Sequence, residues 1–172
     1  MMRDILAQAR RDAIADRRKA LENLPIIDHT TGLYNRVYFD LRLDEELARS
    51  RRYGNKLSLI LVGTGLSPRQ DPGNENRIDA KTMKVVAGII NDCLTNTIGL
   101  AFPYDRDKFA VIAPEADEQE AALLTEHIRK AILSEKMPSV KLHTGVVQYK
   151  DHESIDELIQ AADDALHGNA RG

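Results

Sequence analysis

The chain has 172 residues, of which 42% are hydrophobic and 30% charged, and its net charge at pH 7 is -3. These values fit one soluble globular domain with a short appendage and exclude a largely disordered chain. Both charge signs are mixed along the sequence, which argues against a nucleic-acid-binding surface and against a polybasic membrane patch.

Two further features bear on the compartment. No apolar run approaches the ~18 residues that a membrane-spanning helix needs, and the N-terminus lacks the apolar segment of a signal peptide. The single cysteine, Cys93, cannot form an internal disulfide, and we interpret it as a small buried side chain. We therefore expect a cytoplasmic protein without a membrane-bound segment.

Residues 3–24 contain no glycine or proline and are rich in strong helix formers, which predicts one continuous helix that ends at the following proline. Apolar residues recur every seven positions at Ala7, Ile14 and Leu21, but arginines occupy most of the second seam that a coiled coil needs. We interpret residues 1–27 as a helical stalk that packs on the domain or dimerises weakly. A solvated helix is the alternative.

Helices and strands alternate along the remainder of the chain. Asn35 is a favourable N-cap, and Phe39, Leu43 and Leu47 at four-residue spacing predict a helix that extends to Arg52. The order of elements, in which helices separate the strands except for one central hairpin, indicates a mixed sheet flanked by helices in a single α/β (α+β) layer structure. The further elements are a strand over 56–63, a polar loop over 64–77, a helix over 78–94, a hairpin over 100–114, a helix opened by Asp117, a strand over 139–149 and a helix opened by Ser154.

Four segments occur in a characteristic order: "DHTTGLYNRVYF" at 28–39, "FAVIAPEADEQEAALLTEHIRKAI" at 109–132, "TGVVQY" at 144–149 and "ADDALHGNARG" at 162–172. Together they resemble the GGDEF (diguanylate cyclase) domain family, which opens with D-x-L-T-G-L-x-N-R-x-x-F and ends with A-D-x-A-L-Y-x-A-K-x-x-G. The resemblance implies a GGDEF/nucleotidyl-cyclase-like fold over residues 28–172, preceded by the stalk.

The resemblance also implies where the family binds metal. Members condense two GTP molecules, one on each of two facing domains, into cyclic di-GMP, with carboxylates that hold Mg²⁺ against the triphosphate. On this chain Gly63 and Gly65 fall on the two aspartates of the metal-binding segment. The signature loop with its two glycines, an acid, the metal-binding glutamate and a phenylalanine corresponds to Asp105, Arg106, Asp107, Lys108 and Phe109.

Other positions of the family are altered as well. Asp71 falls on the asparagine and Ala80 on the aspartate that read guanine, and a carboxylate accepts hydrogen bonds but cannot donate them. Ala170 falls on the expected lysine near the phosphates, with Arg171 beside it. The product-inhibition motif falls on residues 96–99, which carry neither of its charged residues.

The resemblance therefore favours a catalytically inactive GGDEF-like domain that acts as a regulatory or protein-interaction module in bacterial signalling. No catalytic residue, cofactor, metal or nucleotide is expected. The partner is expected to be a protein or a second copy of the chain, bound through the stalk and the face of the signature loop formed by residues 105–109.

Two alternatives stay open. The first is a non-catalytic sensor of GTP or cyclic di-GMP, in which Lys108, assisted by Arg106 or Arg171, holds a phosphate without Mg²⁺, although Asp105 and Asp107 oppose this. The second is a working diguanylate cyclase, which the altered positions disfavour. The histidines have no metal-ligand spacing and indicate no separate metal site.

Overall fold

The computed structural model describes residues 2–22, 25–65, 80–150 and 154–170. The predicted order of helices and strands is confirmed in these ranges, whereas most of the loop predicted over 64–77 lies outside them. In chain order the elements are α1 (Met2–Glu22), α2 (Arg36–Tyr53), β1 (Leu57–Gly63), α3 (Ala80–Cys93), β2 (Leu100–Asp105), β3 (Lys108–Pro114), α4 (Glu118–Ser134), β4 (His143–Gln148) and α5 (Ile155–Ala170).

The four strands form one sheet in the order β2-β3-β1-β4, and each pair of neighbours is antiparallel. The predicted α/β fold class is confirmed, but the described strands include no parallel neighbours, where we expected a mixed sheet. The reason is topological. Strands β1 and β2 run in the same direction, as do β3 and β4, but a strand of the other pair lies between the members of each pair.

Strand β1 is buried along its whole length because helices cover both faces of the sheet. Leu59 and Leu61 face helices α2 and α5, while Ile60 and Val62 face α3 and α4. The predicted apolar stripe of α2 is buried as expected. The predicted stripe of α3 is buried too, and it consists of Met83, Val86, Ala87 and Ile90.

The described side chains of helix α1 contribute nothing to this core. Every side chain described between residues 2 and 16 is exposed. Cys93 is half-buried against the core between α3 and α4, and its burial, aided by the charge of Asp92, raises the pKa of its thiol. Within the described ranges, no helix is both long and apolar enough to cross a lipid bilayer.

Asp117 caps helix α4, as predicted. Its carboxylate accepts a hydrogen bond from the backbone N–H of Glu120 at 2.8 Å and lies 3.3 Å from the Nζ of Lys56. The hydrogen bond from Glu120 is the main cause that lowers the pKa of Asp117, and Lys56 acts in the same direction. A carboxyl group whose pKa is lower in the folded state stabilises the fold above its unfolded pKa and loses that effect as the pH falls through its folded pKa.

We therefore expect the stability of Asp117→Asn to fall less steeply with decreasing pH than that of the wild type, because an asparagine caps the helix at every pH but does not titrate. Thermal melting of both proteins from neutral pH down through the acid range would measure this. Melting temperatures that fall in parallel would contradict the assignment of this cap as an acid-sensitive group.

Candidate functional site

The end of strand β1 carries the first of the positions predicted from the resemblance. Gly63 is paired with Lys108 of β3 on one side and with His143 of β4 on the other. Residues directly opposite each other in antiparallel strands direct their side chains to the same face of the sheet. The three positions thus form a row across the sheet that offers an ammonium group, a glycine and an imidazole, and no carboxylate.

The space beside the two glycines is already taken. A Cβ added to Gly63 would lie 2.8 Å from Cδ2 of His143, and a Cβ added to Gly65 would lie 2.7 Å from the backbone carbonyl oxygen of Lys141. Gly65 also has a φ of +66°, a conformation that side chains disfavour. An aspartate at either position would require its neighbours to move.

Thr64, which lies between the two glycines, ties the end of β1 to both neighbouring segments. Its backbone N–H and its Oγ1 both donate to the carbonyl oxygen of Asp107, at 2.9 and 2.8 Å. Its own carbonyl oxygen accepts from the backbone N–H of Lys141 at 2.7 Å. Sequence reasoning missed this residue, because a buried threonine at a strand end has no pattern that marks it.

The β2–β3 hairpin replaces the family's two glycines by charged residues without backbone strain. Arg106 and Asp107 form its turn, and the carboxylate of Asp105 accepts a hydrogen bond from the N–H of Arg106 at 2.7 Å. None of Asp105, Arg106 and Asp107 has a positive φ. In the described ranges the non-glycine residues with positive φ are Glu115 and Lys136. A glycine is therefore not required here.

The signature-loop positions differ in exposure. Asp105 and Arg106 are exposed, and Asp107 and Lys108 are half-buried. Phe109 is fully buried in the core between the sheet and helices α3 and α4, so our prediction that it belongs to a contact surface is wrong. The reason is the alternation of a strand, in which consecutive side chains point to opposite faces.

Arg36 links helix α2 to the same hairpin. Its Nη1 donates to the carbonyl oxygen of Tyr104 at 2.8 Å, and its guanidinium carbon lies 4.1 Å from the centre of the Tyr104 ring. Burial raises the pKa of Tyr104, and the negative charge of Asp163 adds to this effect. We did not predict this contact, although the N-R pair of the opening motif was the available signal.

The remaining predicted positions that the structure describes lie on other elements. Ala80 is exposed at the first residue of α3, and residues 96–99 lie in the connection between α3 and β2. Ala170 is the last residue of α5. Asp71 and Arg171 lie outside the described residues, so the structure leaves their roles untested.

The described residues do not fit the Mg²⁺ ion that the resemblance implies. Mg²⁺ prefers hard oxygen ligands in near-octahedral geometry, and the row of Lys108, Gly63 and His143 offers two nitrogen groups, one of them cationic. Across the four described ranges, no group of three or more histidine, cysteine, aspartate and glutamate side chains could hold a metal ion.

Similar proteins of known structure share this fold. The chain superimposes with a TM-score of 0.75 on the diguanylate cyclase SiaD of Pseudomonas aeruginosa, solved in complex with its activator SiaC, at 22% identity over 96% of this chain and 66% of that one. It superimposes with a TM-score of 0.74 on the coiled coil and GGDEF domain of DgcB from Caulobacter crescentus, solved with c-di-GMP, at 22% identity over 99% of this chain and 93% of that one.

Sequence comparison points to the same group of proteins. The chain is 26% identical over 149 residues to the diguanylate cyclase DosC of Escherichia coli (strain K12). The aligned region covers 82% of this chain but only 32% of DosC. It thus spans about a third of that relative's length. The family model described as "Diguanylate cyclase, GGDEF domain" matches residues 79–171. Since this match covers more than half of the sequence, the chain belongs to the GGDEF domain family.

Proposed function

We propose that this GGDEF domain is catalytically inactive and acts as a regulatory, protein-interaction module of cytoplasmic bacterial signalling. The observation that supports this proposal is the row of Lys108, Gly63 and His143, which has no carboxylate where the family's metal ligands are expected. The crowding at Gly65 supports it further, because an acidic side chain there would meet the backbone of Lys141.

Electrostatics explains why these changes matter for catalysis. A divalent cation at the row would face the ammonium group of Lys108, and this repulsion opposes binding of the metal that the family uses to neutralise the triphosphate. Loss of one group that stabilises charge in a transition state typically lowers the rate by ~10²–10³. The expected cumulative effect is the absence of measurable cyclic di-GMP synthesis.

Two structural neighbours support the interaction role. SiaD was solved with a protein activator, so a protein of this fold is regulated by direct protein binding. The fragment of DgcB that contains its coiled coil and its GGDEF domain aligns with 99% of this chain, so the alignment includes α1. On this basis we propose that residues 1–27 form a stalk and residues 28–172 the domain, and that the stalk and the hairpin face contact a protein partner or a second copy of the chain.

Incubation of the full chain with GTP and Mg²⁺, followed by mass spectrometry, tests the proposal. We expect no cyclic di-GMP at any protein concentration, under conditions in which an active GGDEF enzyme forms it. Titration calorimetry with GTP, cyclic di-GMP and ATP should give no heat of binding. Product formation would overturn the proposal, whereas metal-independent binding that is lost in Lys108→Ala but kept in Lys130→Ala would support the alternative of a nucleotide sensor.

A further inference from the structure

A continuous groove runs between helix α1 and the C-terminal end of helix α2. Its two parts have volumes of about 820 and 470 Å³ and share three lining residues, Arg10, Ile14 and Arg52. None of the described residues that line either part is acidic. The arginines that line this groove, called the arginine groove below, are Arg3, Arg10, Arg11, Arg49, Arg51 and Arg52.

Apolar side chains lie among these cations. Leu6 is 65% exposed, Ile14 57% and Tyr53 64%, and all three line the groove. Leu6 and Ile14 lie on helix α1, whose described side chains are all exposed, and Tyr53 is the last residue of helix α2. A surface that combines exposed apolar side chains with one sign of charge is typical of a binding site for a partner of the opposite charge.

Solvent weakens an ion pair that one arginine of the groove makes. Arg49 forms an ion pair with Glu115, whose carboxylate lies 3.5 Å away. Both side chains are about half exposed, so solvent screens the attraction between their charges. The concentration of cations is local, because the chain as a whole carries a net charge of -3.

We propose that the arginine groove binds an amphipathic helix of a partner protein whose apolar stripe is flanked by aspartate and glutamate. Guanidinium groups bind carboxylates through paired hydrogen bonds, and a groove between two helices suits a third helix of ~10 Å diameter. The inference rests on the protein-interaction role proposed above and specifies the charge and the secondary structure of the partner.

A second copy of this chain fits the groove less well. A two-fold contact through the groove would place the arginines of one copy against those of the other, because such interfaces bring the same surface together. The described part of α1 has equal numbers of arginine and aspartate residues, three of each between residues 2 and 16, so it offers no acidic excess to a neighbouring copy.

The test uses the full chain and a designed helical peptide of ~15 residues with leucines at helical spacing and glutamates beside them. A second peptide carries lysine in place of every glutamate. Fluorescence anisotropy measures binding of each peptide to the wild type, to the double variant Arg10→Gln with Arg52→Gln, and to Arg129→Gln. Arg129 is an exposed arginine on α4 outside the groove, which makes its variant the matched control.

We expect the acidic peptide alone to bind, with an affinity about tenfold lower in the double variant and unchanged in Arg129→Gln, and with weaker binding as salt is raised. Circular dichroism checks that each variant is folded. Equal binding by all variants, or no binding of the acidic peptide, would overturn the proposal.

Two other results would also overturn it. Arginine-dependent binding of a single-stranded RNA oligonucleotide in place of the peptide would assign the groove to nucleic acid. Sedimentation that shows a dimer lost in the double variant would assign it to a second copy. Cyclic di-GMP synthesis is measured separately, so an active enzyme that still binds the peptide would refute the inactive state and leave the groove's role standing.

Discussion

Gly65→Asp is expected to destabilise the domain by about 3 kcal/mol and to leave it without a magnesium site. Two costs combine in this estimate: a left-handed backbone is unfavourable for a residue with a Cβ, and the added atoms crowd their surroundings. The Cβ would lie 2.7 Å from a backbone oxygen of Lys141, which cannot rotate away as a side chain could. Urea denaturation of the variant and the wild type measures the loss.

Gly54→Asp separates these two costs. Gly54 has a φ of +70°, close to that of Gly65, but nothing lies within 4 Å of its Cβ position. Its replacement should therefore cost only the backbone term, about 1 kcal/mol. If Gly65→Asp kept the stability of the wild type and bound Mg²⁺, the domain would be one substitution away from a metal site, and the proposed loss of function would have to be abandoned.

Gly145→Ala is expected to cost about 3 kcal/mol as well, for a different reason. Strand β4 and helix α5 approach so closely at this position that a Cβ would lie 2.5 Å from the backbone nitrogen of Leu166 and 2.7 Å from the carbonyl oxygen of Ala162. Both atoms belong to the backbone of α5, so the whole helix would have to move away from the sheet. The buried side chains of Leu158, Ala162 and Leu166 would lose contacts in that movement.

The matched control for this substitution is Gly88→Ala. Gly88 lies on the exposed side of α3, and nothing lies within 4 Å of its Cβ position. Alanine favours a helix over glycine, so we expect this variant to be more stable than the wild type by about 0.8 kcal/mol. Urea denaturation curves for the two variants should thus shift in opposite directions. A shift in the same direction would show that the close approach of α5 is not what fixes glycine at 145.

Local patterns were enough to place most elements of the fold. The four buried positions of α3, the fully buried strand β1, and the caps Asn35 and Asp117 all follow from residue types within a few positions of each other. The direction of neighbouring strands could not be predicted in this way. It depends on which strand is inserted between β1 and β2, and no feature of either strand's own sequence reports this.

The candidate site, too, was predictable where it depends on local sequence and not where it depends on contacts between distant residues. The resemblance identified Gly63, Gly65 and Lys108 as altered positions, and the strand pairing places Lys108 beside Gly63. The contacts that shape the site could not be predicted, because they join residues far apart in sequence. Arg36 reaches Tyr104 across 68 positions, and the hydroxyl of Thr64 reaches Asp107 across 43.

The two hydrogen bonds from Thr64 to Asp107 bear on which signals the β2–β3 hairpin could transmit to a partner. With Arg36 holding Tyr104, the hairpin takes its shape from the protein's own groups. If the domain binds no nucleotide, as we propose, the contour of the hairpin should be the same whether guanine nucleotides are scarce or abundant in the cell. A partner that binds this hairpin would then respond to the concentration of either protein, or to motion in another part of the assembly.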